Sequence, residues 1–185
     1  MTNLAYFVTP HGFGHAARAA AVMAAVHARR PEARFHIFTT APEWFFRESL
    51  RGPFTYQAVL TDIGVAQTSP LHADLADTAR RLDELLPLRA DLVAGLAAQV
   101  RGLGCQMVLC DVAALGIAVA RAAGLPSVLI ENFTWDWIYA GYFAEAPARR
   151  AYAAAFAAVY AQADHHIQTT PVGAPAAHTA LTTAA

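Results

Sequence analysis

Short apolar runs alternate along this chain with longer stretches whose apolar positions recur at helical spacing. Residues 4–9, Leu-Ala-Tyr-Phe-Val-Thr, form a run of strand length, the pattern of a strand buried on both faces. A turn built from Pro10, Gly12 and Gly14 follows, and then an alanine-rich stretch, 16–29, with the length and propensity of a helix. The rhythm continues with strands predicted at 34–40, 54–60, 106–111, 127–131 and 165–169. Helices are predicted at 42–50, across 72–102 with a new start at Pro87, at 113–123, and at 148–162. Gly124 and Pro126 end the third of these, as a left-handed cap and a breaker do. Residues 62–71 carry no periodicity and read as a long loop of the kind that binds ligands. Residues 133–143 are an aromatic segment, and after Pro171 the chain is rich in Pro, Ala and Thr.

Six strands with intervening helices predict an α/β fold, a doubly wound, parallel, Rossmann-like sheet. One domain is expected over 1–170, with 171–185 a frayed tail or truncated linker. In the usual order 3-2-1-4-5-6, strands one and four are neighbours, and ligands bind above their carboxyl ends. The loop with His11 and His15 leaves strand one there, and Asp111 ends strand four there. A carboxylate beside an imidazole fixes its tautomer and raises its basicity, so His15 and Asp111 are a candidate general base and partner, both facing the crevice. Asp111 also reads as a cap on the helix that follows it.

The turn itself has a chemistry. Gly12 and Gly14 let the backbone approach a ligand closely, and the helix N-terminus behind them favours anions. His15 and Arg18 are expected in the first helical turn, where a cation is disfavoured unless an anion lies nearby; Arg18 is therefore a candidate anion contact. A dinucleotide fingerprint is incomplete, because position 17 is alanine and the second strand ends in two threonines. All 13 basic residues are arginine, which removes the Walker lysine and Schiff-base chemistry with pyridoxal phosphate.

Composition narrows the rest. At 185 residues the chain suits one domain with its own core. A formal charge of −1 gives no electrostatic reason to expect nucleic acid or an acidic membrane as partner. Apolar residues make up 56%, yet no run approaches membrane-spanning length, and no signal-peptide pattern opens the chain, so a cytoplasmic location is expected. Cys105 and Cys110 read as buried thiols in a reducing compartment, without the histidine pattern of a zinc site. No metal site or resident cofactor is expected.

These residues carry a resemblance. Gly14-His15 with its helix, the strand Met107-Val-Leu-Cys-Asp111, and Gly124-Leu-Pro with the strand after it resemble glycosyltransferases of the GT-B fold, both the plant-type UDP-sugar enzymes and family 28. In plant-type members the histidine is the general base and the aspartate its partner, roles that carry over to His15 and Asp111. The loop Val8 to Arg18 and the segment Asn132-Phe-Thr-Trp-Asp-Trp-Ile-Tyr139 resemble more closely the glycosyltransferase-like N-terminal part of L-arabinokinases and bacterial relatives. The resemblance covers nearly all of 1–170. It implies the N-terminal, acceptor-side half of a GT-B enzyme, with a nucleotide sugar as co-substrate. It departs from the family where the chain stops, since a GT-B enzyme has a second domain holding most donor contacts. The chain is then a fragment, or is completed by a partner chain or by homo-oligomerisation, and is expected to be inactive alone.

His11, Gly12, Phe13, Gly14, Arg18, Glu131, Asn132, Trp135 and Asp136 are the candidate substrate-binding residues. His11 also reads as a solvated loop residue, Glu131 as the partner of an arginine, and one of Trp135 and Trp137 as core. Three functions remain open: the acceptor half of a glycosyltransferase, a non-catalytic sugar or nucleotide sensor attached to an enzyme such as a sugar kinase, and a phosphate-ester hydrolase with an anion cradle. The last lacks a nucleophile elbow and a metal-binding carboxylate cluster.

Overall fold

The apolar run at the start of the chain is β1 (Thr2–Val8), the central strand of a parallel sheet. Its side chains alternate, as strand geometry requires: Tyr6 and Val8 are buried in one core, Ala5 and Phe7 in a second core on the other face. The computed structural model describes residues 2–173 and the backbone of Leu181–Ala184.

After β1 come α1 (Phe13–Arg29), β2 (Ala33–Thr39), α2 (Glu43–Ser49) and β3 (Phe54–Ala58). Two short strands, β4 (Gln67–Ser69) and β5 (His72–Ala73), pair antiparallel and lead into α3 (Leu75–Leu85) and α4 (Ala90–Gly102). The second half runs β6 (Cys105–Asp111), α5 (Ala114–Ala123), β7 (Ser127–Glu131), α6 (Trp135–Tyr142), α7 (Arg150–Tyr160), β8 (His165–Thr169) and β9 (Leu181–Ala184). The main sheet has the order β3-β2-β1-β6-β7-β8-β9, with every pairing parallel. Chain direction across the sheet therefore reverses between β1 and β6, the predicted switch point.

Helices cover both faces. The face of Tyr6 and Val8 packs on Ala16, Ala19, Ala20 and Met23 of α1 and Phe46 of α2. Those four α1 positions lie on one stripe at helical spacing, which is why so alanine-rich a helix docks closely. The other face packs on α3, α4, α5, α6 and α7, with Phe7 stacked on Phe38 at 4.5 Å between ring centroids. Gly116 lets α5 press onto the sheet, because a Cβ there would lie 2.7 Å from both Cys110 Sγ and Phe7 Cβ. No helix among the described residues is long and apolar enough to cross a membrane.

Four expectations change. The 62–71 loop contains β4, and the helix predicted from 72 starts at Leu75 because Asp74 caps it, accepting the Asp77 amide at 2.9 Å. The aromatic segment at 133–143 is itself a helix, α6. Part of the expected tail is paired: the backbone of Leu181–Ala184 lies beside β8, a strand too short to show a pattern in sequence. Residues 174–180 and 185, also placed in that tail, lie outside the described residues.

Candidate functional site

The register of the sheet assembles the site. Val8 pairs with Asp111, Asp111 with Ile130, and Glu131 with Gln168, so β1, β6, β7 and β8 all end at one carboxyl edge. The Thr9 amide donates to the Asp111 carbonyl at 3.1 Å and extends the ladder by one residue. Gly12 then turns the chain at φ 85°, a left-handed value suited to glycine, and α1 begins at Phe13 with no side-chain cap. His15 is the third residue of that helix, aimed back under the edge and nearly buried, and Asp111 is fully buried.

Their side chains meet. His15 Nδ1 lies 2.8 Å from Asp111 Oδ1. Arg18, one helical turn further on, closes a fork on the same carboxylate, donating from Nε to Oδ2 and from Nη2 to Oδ1, both at 2.7 Å. Its Nη1 donates to Asn132 Oδ1 at 2.7 Å and to Thr169 Oγ1 at 3.3 Å. Arg18 Nη2 also stands 3.2 Å from His15 Nδ1. Asp111 Oδ1 is an acceptor only, so the stable tautomer has the proton on Nδ1, donated to Asp111, and leaves the Nε2 lone pair free. Among the described residues Nε2 has no hydrogen-bond partner. Asp111, held by the Arg18 fork, fixes the orientation of the imidazole.

The residue after Asp111 supports this placement. Val112 has φ 57°, a strained value for a β-branched residue, and is held by its amide to Ile130 O at 3.2 Å and by the Tyr160 hydroxyl to its carbonyl at 2.6 Å.

Several candidates sit differently from their sequence expectation. Arg18 is in the second turn of α1, because the helix starts three residues earlier than the alanine run suggested, and its guanidinium is taken up by Asp111 and Asn132. Asn132 holds Arg18. Glu131 is buried and accepts from Gln168 Nε2 at 2.9 Å, with His166 Nε2 at 2.6 Å, so its hydrogen-bond partners among the described residues are on β8, and Arg18 couples to it only electrostatically. Trp135 is core, 1% exposed and stacked on Tyr139, whereas Trp137 is the exposed indole. Asp136 lies in the first turn of α6, where its charge complements the helix dipole. Gly12, Phe13 and Gly14 are exposed at the turn, and Phe13 leans on Trp44 and Phe45. His11 is half-buried, edge-on to Trp135 at 5.2 Å, and its pKa is pushed down by burial and by His15.

Sequence reasoning missed one residue. Asp62 is fully buried, accepts the Thr9 hydroxyl on Oδ1 at 2.7 Å, and takes further hydrogen bonds from the Trp135 indole and the Gly64 amide. Burial pushes its pKa up to about 6, against the opposing pull of the Thr9 hydroxyl, of His15, and of the Trp135 and Gly64 N–H groups. It stood at the head of the stretch read as a binding loop, and only its position there could have singled it out. Asp62 and His11 line a cavity of about 650 Å³ between the Pro10–His11 turn and α3. No group of three or more His, Cys, Asp and Glu side chains among the described residues could hold a metal ion.

No protein-family model matches the chain. An L-arabinokinase from Arabidopsis thaliana is 33% identical over 140 residues, which are 75% of this chain and 13% of that protein. Among solved structures, Phytolacca americana UGT2, complexed with UDP-2fluoro-glucose and pterostilbene, superposes with a TM-score of 0.56 at 13% identity. That match covers 92% of this chain and 48% of the other. Acinetobacter baumannii MurG gives a TM-score of 0.56 at 17% identity over 98% of this chain and 46% of its own. This chain thus spans about half the length of these solved relatives and a small part of the arabinokinase. It is similar in sequence to part of an L-arabinokinase, and its fold is one half of the GT-B glycosyltransferase fold.

Proposed function

We propose that this domain is the acceptor-binding half of a nucleotide-sugar-dependent glycosyltransferase, with His15 as its general base. The observation that carries the reading is the 2.8 Å contact of His15 Nδ1 with Asp111 at the carboxyl edge of the sheet. With that nitrogen committed, Nε2 takes the proton from an acceptor hydroxyl. The oxygen attacks the anomeric carbon of the sugar, and the bond to the nucleotide diphosphate breaks with its electron pair leaving on phosphate. The donor binds on a second domain or a partner chain, in keeping with a domain that spans about half of the solved relatives. The UDP-2fluoro-glucose bound to UGT2 sets the class of donor to try first.

A second reading has its own observation. Arg18 satisfies both oxygens of Asp111, so the carboxylate has little left to stabilise an imidazolium, as in a module that binds a sugar without transferring it. The two separate in one assay, UDP release from UDP-glucose by the complete two-domain or partnered protein. Turnover abolished by His15→Ala supports the enzyme. Sugar binding with no turnover under any acceptor supports the sensor and ends the enzyme reading.

A further inference from the structure

Arg18 decides which way a neighbouring amide points. A guanidinium only donates, so the Asn132 atom 2.7 Å from its Nη1 is the carbonyl oxygen Oδ1 and not the amide nitrogen. The NH2 group of Asn132 is thereby turned away from Arg18. Among the described residues it has no hydrogen-bond partner, and on a half-buried residue it is not sealed from solvent. His15 stands at the other terminal nitrogen of the same guanidinium, with Nδ1 3.2 Å from Nη2. Its Nδ1 proton is committed to Asp111, which leaves Nε2 as an acceptor. One arginine side chain thus fixes two unmet groups of opposite kind, a donor on Asn132 and a lone pair on His15. We propose that Asn132 is a ligand-contacting residue, its Nδ2 donating to an oxygen of a hydroxyl compound whose O–H donates to His15 Nε2.

The chemistry of the pair sets the ligand class. A hydroxyl both donates and accepts, so an alcohol or a phenol can satisfy a lone pair and an N–H together. An ether only accepts and leaves Nε2 unmet, and an ammonium only donates and leaves Asn132 unmet. Arg18 is not held ready for an anion, because its donors go to Asp111, Asn132 and Thr169. The backbone supports the placement. Asn132 follows Glu131, the last residue of β7, and its carbonyl accepts the Gly173 amide at 2.7 Å. The next residue, Phe133, packs edge-on against the His15 ring at 5.5 Å, which ties this turn to the imidazole. The role rests on the acceptor-site reading for its purpose, but its test reads binding alone.

The test is NMR on the nitrogen-15-labelled 185-residue chain at about pH 7, following the Asn132 side-chain NH2 and the His15 imidazole nitrogens. The probes are phenol and D-glucose, with anisole, the methyl ether of phenol, as the capped control. A saturable shift of both signals with phenol or D-glucose is expected, and none with anisole at the same concentrations. Asn132→Asp keeps an oxygen toward Arg18 and removes the donor, whereas Asn132→Ala removes both. Each variant should weaken binding of the hydroxyl probe by about tenfold, the loss of one hydrogen bond. If Asn132 serves Arg18 alone, Asn132→Asp binds as the parent does and only Asn132→Ala suffers, a result that overturns the proposal. So does a probe that moves His15 without the Asn132 amide, anisole binding equal to phenol, or no saturable shift with either hydroxyl probe. The parent's two signals decide the matter even where a variant fails to fold. A completed protein that binds by these rules and transfers no sugar ends the transferase reading and leaves the Asn132 role standing.

Discussion

Two carboxylates sit within one sheet edge and are treated in opposite ways. Asp111 at the end of β6 is buried, but Arg18 forks onto both its oxygens and His15 shares one of them. Asp62, after β3, is buried just as fully, but its donors are neutral: the Thr9 hydroxyl, the Trp135 indole and the Gly64 amide. The first is a closed network whose product is geometry, an imidazole fixed in tautomer and direction. The second has no arginine against it, so burial makes its ionised form costly to the fold. Polar networks that are complete rigidify a structure, and a buried carboxylate held only by neutral donors carries the cost of its desolvation.

The comparison can be broken at four points. The largest effect is expected at His15, where replacement by alanine should lower transfer by the completed protein by roughly 10²–10⁴. A loss of KM alone with kcat intact would make His15 a binding residue. Next is Asp111→Ala, which leaves Arg18 without its carboxylate partner and should cost about 3–5 kcal/mol in chemical denaturation. Asp111 is fully buried, so the expectation that it faces the crevice is corrected, and its loss tests the fold as much as the chemistry. A variant as stable as the parent would show that the network contributes nothing.

Asp62→Asn should act in the opposite direction. Its folded pKa, about 6, is raised above the usual 3.8, so the folded state prefers the protonated form. The resulting stabilisation is fully present below about pH 4 and is lost as pH rises through 6. Relative to asparagine, the ionised carboxylate is therefore a burden of about 3 kcal/mol at pH 8. Asp62→Asn should raise the melting midpoint at pH 8, and the gain should fade on going down to pH 4. His15 and Tyr139 couple electrostatically to this group, so the curve is read in the His15→Ala background as well. A midpoint unchanged at pH 8 would mean that the Thr9, Trp135 and Gly64 donors offset the desolvation in full. The smallest effect is Gly12→Ala: no atom lies within 4 Å of the added Cβ, and only the φ of 85° is penalised. A loss of about 1 kcal/mol is expected, and a much larger one would reveal a contact at the turn.

Much of this could be read in the chain. Strands two residues in period and helices of 3.6 leave plain traces, and β7 and β8 were legible to the residue. Parallel strands joined by right-handed crossovers leave few strand orders, so the meeting of His15 and Asp111, 96 residues apart, followed from topology. The Gly-His turn and the aromatic segment were legible as resemblance, and the sequence likeness to an L-arabinokinase agrees with it.

What sequence determined by itself is everything local or forced by handedness: the periods, the turn at Gly12, the cap at Gly124, and the edge at which β1 and β6 end. Partner choice is different. Arg18 binds Asp111 across 93 residues and Asn132 across 114, and Asp62 meets Thr9 across 53. Each depends on the rotation of a helix and the register of a sheet to within an ångström, which no local pattern encodes. The same holds for Trp135, where a sugar-stacking surface and a core side chain look alike until α6 is rolled onto α7. Tertiary packing decided which polar groups were left satisfied and which were not, because burial removes water and lets only the neighbours present take its place.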